Sequence, residues 1–188
     1  MTEYIFDWAS MHFPRWKEVL SGLVGKDHSK ALELGCFEGL STVWLLENIF
    51  TAGNTRYVAV DTFKTGPDLA VSNINFEEVK QRFLRNIERF KFNVQLIENS
   101  TQEAGRLLNS CEFDFVYVDA SHECSDVLSD CVLAYRVLKP SGMCICDDYE
   151  WKFRPGLDPK EGIDAFLKAF GHKVKVTHRG YQLDWVKI

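Results

Sequence analysis

ALELGCFEGLSTVWLLEN, residues 31–48, carries an apolar run through a glycine turn into a helix-patterned stretch. Ala31 to Leu34 read as a strand, Gly35 and Gly39 bracket the turn, and Ser41 and Thr42 open a helix whose apolar positions continue to Phe50. A strand that passes through glycines into a helix is the first unit of a doubly wound α/β sheet. Outward from it the alternation repeats. RYVAVD (56–61), NVQLIE (93–98), FDFVYVD (113–119) and MCICDD (143–148) are near-continuous apolar runs, the kind covered on both faces in a parallel sheet. Between them, FEEVKQRFLRNIERF (76–90) sets Phe76, Val79, Phe83, Ile87 and Phe90 on one helical stripe. SDVLSDCVLAYRVLKPSG (125–142) does likewise and meets stop signals at Lys139, Pro140 and Gly142.

The pattern changes near the C-terminus. Asp158, Pro159 and Glu161 read as an N-cap, a first-turn proline and a capping glutamate for the helix IDAFLKAF. KVKVTH and YQLDWVKI then flank Arg179–Gly180, a hairpin signal. The predicted fold is a mostly parallel, doubly wound α/β sheet with an antiparallel C-terminal hairpin. Ahead of the first strand, residues 1–28 form a helical segment with Trp8, Phe13 and Trp16, which either packs on the sheet or covers the site.

With 188 residues, 46% of them hydrophobic and 26% charged, the chain suits one domain spanning 1–188. A net charge of −5 and the lack of a basic run argue against a nucleic-acid partner. No stretch reaches the roughly 20 apolar residues of a membrane span, and the start MTEYIFDWASMHF has no signal-peptide pattern. A cytoplasmic protein without a membrane partner is expected. The six cysteines are scattered with no CxxC pair, so free, mostly buried thiols are predicted.

Ligands of open α/β sheets sit beyond the carboxyl ends of the strands, where strand order reverses. Glu33, Gly35, Cys36, Phe37, Glu38 and Gly39 lie at such an end. Glycines there let the backbone approach a ligand, and the following helix offers free N–H groups. Asp61 ends the second apolar run, where a carboxylate can accept both hydroxyls of a ribose. Phe37 stands at the middle position of GxGxxG, which disfavours a dinucleotide.

At the fourth and fifth strand ends stand Asp119, with His122 three residues on, and the Asp147–Asp148 pair. Neighbouring strands lie about 4.8 Å apart, so these acids converge if the two strands pair. Clustered carboxylates either stay protonated or share a cation. An all-oxygen set of Asp119, Asp147 and Asp148 suits a divalent cation, Mg²⁺ foremost. Asp126 and Asp130 share a helix face and are expected to favour the helix N-terminus or solvent.

ALELGCFEGLSTVWLLEN, the acidic end of YVAVD, and YVDASHECSDVLSDCVLAYRVLKPSGMCICDDY together resemble class I S-adenosylmethionine-dependent methyltransferases. The D-x-S-H and D-D-Y signatures look closest to small O-methyltransferases of the macrocin and catechol type. The resemblance implies the Rossmann-like, seven-stranded methyltransferase fold, its last strand antiparallel between its neighbours. It implies that Glu33, Gly35 and Gly39 shape the pocket for the methionine part of S-adenosylmethionine, with Ser41 near its carboxylate. Cys36 and Phe37 depart from the smaller residues common there. Asp61, with Thr62 beside it, would hold the ribose; Asn99 and Ser100 would face the adenine. Asp119 would border the cofactor and join Asp147 and Asp148 on the cation, and His122 would be the general base, or else a histidine bonded locally in the first turn of a helix.

The expected function is metal-assisted O-methylation of a small hydroxylated acceptor. The alternatives are a cofactor-binding protein without transfer activity and a nucleotide-dependent enzyme such as a dehydrogenase. Phe63, Trp151 and Phe153, in the segments after the second and fifth strands, are candidates to cover the acceptor. The chain lacks the long insertions that usually form an acceptor pocket, so a homodimer would complete it.

Overall fold

The apolar runs become strands β1 (Lys30–Leu34), β2 (Arg56–Asp61), β3 (Val94–Glu98), β4 (Phe113–Val118) and β5 (Leu138–Cys146), and the C-terminal pair supplies β6 (Val174–Arg179) and β7 (Leu183–Lys187). In the structure, a computed structural model describing residues 2–66, 74–152, 155 and 157–188, they form one seven-stranded sheet in the order β3-β2-β1-β4-β5-β7-β6. The first five strands run parallel, and β7 is antiparallel to both β5 and β6. This is the sheet that the sequence predicts.

Both faces are covered because successive side chains of a strand point to opposite sides. Leu32, Leu34, Val58, Val60, Val116 and Val118 join one core, whereas Ala31, Tyr57, Ala59, Phe115 and Tyr117 join the other. Helices α1 (Phe13–Val19), α2 (Leu40–Asn48) and α3 (Phe76–Ile87) cover the second face; α4 (Thr101–Gly105), α5 (Cys124–Val137) and α6 (Pro159–Phe170) cover the first. The predicted stripe of α3 is buried at Val79, Phe83 and Ile87. Asp158 caps α6 by accepting from the Lys160 N–H at 3.1 Å.

Three local features differ from the sequence reading. α4 was not foreseen, since a five-residue helix is too short to show a period. α5 ends at Val137, and β5 starts at Leu138 with a register shift opposite Phe113 and Phe115. Glu161 accepts from the Cys124 thiol at 3.5 Å, so its carboxylate is turned toward α5.

The N-terminal segment does two things. Trp16 is fully buried edge-on to Tyr117, and Phe13 stacks on Trp44, so α1 packs on the sheet. Ahead of it, the Ile5 and Phe6 N–H groups donate to Glu38 Oε2, and Trp8 stacks on Phe37 with centroids 4.9 Å apart, so residues 5–8 run along the glycine loop. The buried Arg82–Glu38 ion pair, 2.6 Å, holds that loop to α3. All six cysteines are free thiols, four of them buried. No helix among the described residues is long and apolar enough to cross a membrane.

Candidate active site

Strand order reverses at β1, which has β2 on one side and β4 on the other. There the glycine loop leaves the sheet. Gly35 has φ +83°, and a Cβ on it would lie 1.9 Å from the Asp119 carbonyl oxygen. Only glycine lets β1 and β4 exit in contact. Gly39, φ +80°, is the N-cap of α2 and abuts the Phe83 ring. Phe37 itself has φ +44°, an uncommon conformation for an aromatic residue.

Asp61 fixes that loop. Its Oδ2 accepts from the Cys36 and Phe37 N–H groups, both at 2.9 Å, and its Oδ1 accepts from the Phe63 N–H at 2.7 Å. A carboxylate has about four lone-pair sites, which leaves one for a ligand hydroxyl. Thr62, next to it, accepts from the Lys64 N–H at 3.2 Å. Glu33 is fully buried beneath the loop, where its carboxylate accepts from the Ser41 and Thr42 hydroxyls and from Tyr57 Oη at 2.9 Å. Burial pushes its carboxyl up to about 7, against the three hydrogen bonds. Ser41 thus donates to Glu33 from the first turn of α2. At the end of β3, Ser100 caps α4 by accepting from the Glu103 N–H, and the exposed Asn99 accepts from the Ser100 N–H at 2.9 Å.

β4 and β5 pair in parallel up to Val118 and Cys146, so their acids meet. The Asp119 N–H donates to the Leu34 carbonyl and the Asp147 N–H to the Val118 carbonyl, which locks both exits. One ligand atom from each of Asp119, His122 and Asp148 falls within 4.8 Å of the others. His122 Nε2 lies 2.8 Å from Asp148 Oδ2, and the Trp151 ring covers His122 with centroids 4.6 Å apart. Asp148 Oδ1 accepts from Tyr181 Oη at 2.7 Å, and Asp148 has φ +56°, in the left-handed region.

Asp147, expected beside Asp119 and Asp148, stands outside that group. Its carboxylate accepts from Tyr117 Oη, from Gln182 Nε2 at 3.1 Å and from the Asp148 N–H at 2.8 Å. Tyr117 Oη also lies 3.2 Å from Asp119 Oδ2 and so bridges the two acids. Burial raises the Asp119 carboxyl well above the usual range, and the charges of Asp147 and Asp148 push it further. Asp147 is raised for the same two reasons, burial first.

The sequence reading missed Tyr117, Tyr181 and Gln182. Tyr117 could have been found, because two residues before Asp119 on a strand means the same face. Tyr181 and Gln182 arrive from the hairpin, whose pairing with β5 no local pattern specifies. Of the residues expected to cover an acceptor, Trp151 is at the site, Phe63 is buried in the core beside Asp61, and Phe153 lies outside the described residues. Asp126 accepts from Gln102, whereas Asp130 is 1% exposed rather than solvated, and burial raises it to about 7.

A sheet of this order, with a glycine loop, an acid at the end of β2 and acids at the ends of β4 and β5, defines the class I methyltransferase fold. The chain belongs to the methyltransferase domain family, which it matches over residues 32–149. Among solved structures it is similar to an O-methyltransferase from Bacillus cereus in complex with SAH, at 17% identity and a TM-score of 0.68, covering 98% of this chain and 84% of that one. It is also similar to the O-methyltransferase TomG from Streptomyces achromogenes, involved in tomaymycin synthesis and in complex with SAM, at 15% identity and a TM-score of 0.68, covering 93% and 79%. A candidate rRNA methylase from Clostridium thermocellum matches at 15% identity and a TM-score of 0.71, covering 99% and 100%. No curated protein matches the chain in sequence.

Proposed function

We propose that this chain is an S-adenosylmethionine-dependent O-methyltransferase acting on a small hydroxylated acceptor, with a divalent cation at the acid cluster. The observation that carries the reading is the convergence of Asp119, His122 and Asp148 within 4.8 Å at strand ends that Gly35 joins to the glycine loop. The cofactor-bound O-methyltransferases among the structural neighbours support the cofactor.

The donor set fits a cation. Asp119 is half-buried beside Asp147 and Asp148, and a cation would offset the desolvation and the repulsion that together raise its carboxyl. Two carboxylates suit Mg²⁺ or Mn²⁺. Asp119 and Asp148 would hold it, while Asp147, already held by three donors, sets the position of the β5 end. S-adenosylmethionine, when bound, supplies a methyl group on a sulfonium, and the cation, when bound, favours ionisation of an acceptor hydroxyl. Gly35 lets the β1 and β4 ends meet and Gly39 lets α2 start against Phe83, which shapes the loop, and the open lone pair of Asp61 accepts a ribose hydroxyl. His122, oriented by Asp148, accepts the proton of the acceptor hydroxyl as general base. Trp151 shields that imidazole on one side. With reacting groups held in line, positioning contributes several kcal/mol to the displacement.

The test is transfer of a labelled methyl group from S-adenosylmethionine to a panel holding 4-nitrocatechol, simple glycosides and an oligoribonucleotide. Label in a small hydroxylated compound is expected. Label only in RNA, or a thermal shift with NAD but none with S-adenosylhomocysteine, would contradict the reading.

A further inference from the structure

His12 ends a 3-10 turn, Ser10–His12, ahead of α1, well outside the stretch matched by the family. Its ring stacks against Trp16 on one hand and Tyr181 on the other, with centroids 6.5 and 5.7 Å away and both planes within 19°. Both neighbours are tied to the acid cluster. Trp16 Nε1 donates to Gln182 Oε1 at 2.8 Å, and Gln182 Nε2 donates to Asp147 Oδ1; Tyr181 Oη donates to Asp148 Oδ1. The imidazole is therefore fixed in orientation before any ligand arrives.

Yet its Nε2 is buried without a hydrogen-bond partner among the described residues. The carboxylate oxygen in reach, Asp147 Oδ1, is 4.0 Å away, too far for a hydrogen bond, and already accepts two. A buried polar atom left unmade is costly and uncommon, so a group absent from the folded chain is the natural partner. The sheet order indicates which one. Gly35 and Asp61 lie at the β1 and β2 ends, the acids at β4 and β5, and Tyr181, one of the two rings beside His12, just ahead of β7. Through Tyr181, His12 thus meets the cluster on the β7 side of β5, the side left to an acceptor when the cofactor occupies the glycine loop. Tyr181, 41% exposed, is the wall on that side that can yield.

We propose that His12 is an acceptor-binding residue, delivered by the N-terminal segment, whose Nε2 hydrogen-bonds a polar group of the acceptor held at Asp148 and His122. This rests on reading the acid cluster as the transfer site, and it adds a contact from outside the family's matched residues.

The probe is 4-nitrocatechol, a chromophore with two adjacent hydroxyls, titrated into the full chain with Mg²⁺ and S-adenosylhomocysteine. His12→Phe keeps the stacking on Tyr181 and Trp16 but removes the nitrogen; it should weaken the probe roughly three- to tenfold, the size of one lost hydrogen bond. S-adenosylhomocysteine affinity should stay unchanged, and His12→Gln, which returns an amide near the Nε2 position, should restore most of the loss. Should His12→Phe fail to fold, His12→Asn, which withdraws the polar group from that position, carries the same expectation. Unchanged probe affinity in the variant would overturn the inference, as would a loss that Gln does not restore. A wild-type protein that binds S-adenosylhomocysteine but not the probe would sink the acid-cluster reading itself, and this inference with it.

Discussion

Replacing Glu33 by Gln should flatten the pH dependence of stability. Glu33 is fully buried, and burial raises its carboxyl from 4.5 to about 7 although three hydroxyls donate to it. Between those two values the folded chain binds a proton that the unfolded chain has released, so stability falls as pH rises through the window and the loss is complete above the folded value. The difference between 4.5 and about 7, at about 1.4 kcal/mol for each tenfold change in proton affinity, makes this about 3 kcal/mol. Gln has the shape of the protonated acid and the same balance of one donor group and one acceptor, with Ser41, Thr42 and Tyr57 able to rotate to suit. The variant should match wild type near pH 4.5 and gain on it steadily to about pH 8. Urea unfolding of both proteins at half-unit intervals reads the difference directly. A constant difference across that range would refute the reasoning, and would mean that the three hydroxyls keep Glu33 ionised with an ordinary pKa.

Other perturbations reach the remaining parts of the site. Asp61→Ala should weaken S-adenosylhomocysteine by about 1 to 3 kcal/mol in calorimetry, since it removes the ribose acceptor and releases the Cys36, Phe37 and Phe63 N–H groups. Gly35→Ala should lower stability by at least about 2 kcal/mol, because its Cβ would meet the Asp119 carbonyl at 1.9 Å in a left-handed backbone; a melting curve unchanged from wild type would be incompatible with this packing. Tyr117→Phe should keep the fold but cost about 1 to 2 kcal/mol and slow transfer, because Asp147 loses a donor and the bridge to Asp119 is broken.

The fold was legible because the information lies in short runs. An apolar strand such as FDFVYV announces burial on both faces, and Arg179–Gly180 between two alternating segments announces a hairpin. Strand ends then place Asp61, Asp119 and Asp147–Asp148 on one edge of the sheet without any knowledge of side chains. Illegible were the contacts that cross the sheet or join distant segments. That His122 turns to Asp148 while Asp147 turns to Tyr117 and Gln182 depends on the left-handed backbone at Asp148. That Ser41 donates to Glu33 is a contact from α2 back to β1 across the glycine turn, which the spacing alone does not specify. Nor does the spacing of FDWASMHFPRW show that His12 reaches the C-terminal hairpin, because that contact spans nearly the whole chain.

The most direct measurement of the central claim is methyl transfer from labelled S-adenosylmethionine to a hydroxylated acceptor by wild type, Asp148→Asn and His122→Ala, each with Mg²⁺ and again in chelator. The account predicts that chelator abolishes wild-type transfer while S-adenosylhomocysteine still binds, that Asp148→Asn needs much more metal, and that His122→Ala keeps its metal affinity but turns over about 10² to 10⁴ times more slowly, with partial recovery at high pH. Undiminished transfer by His122→Ala in chelator would contradict it, and would leave the meeting of Asp119, His122 and Asp148 without a catalytic role.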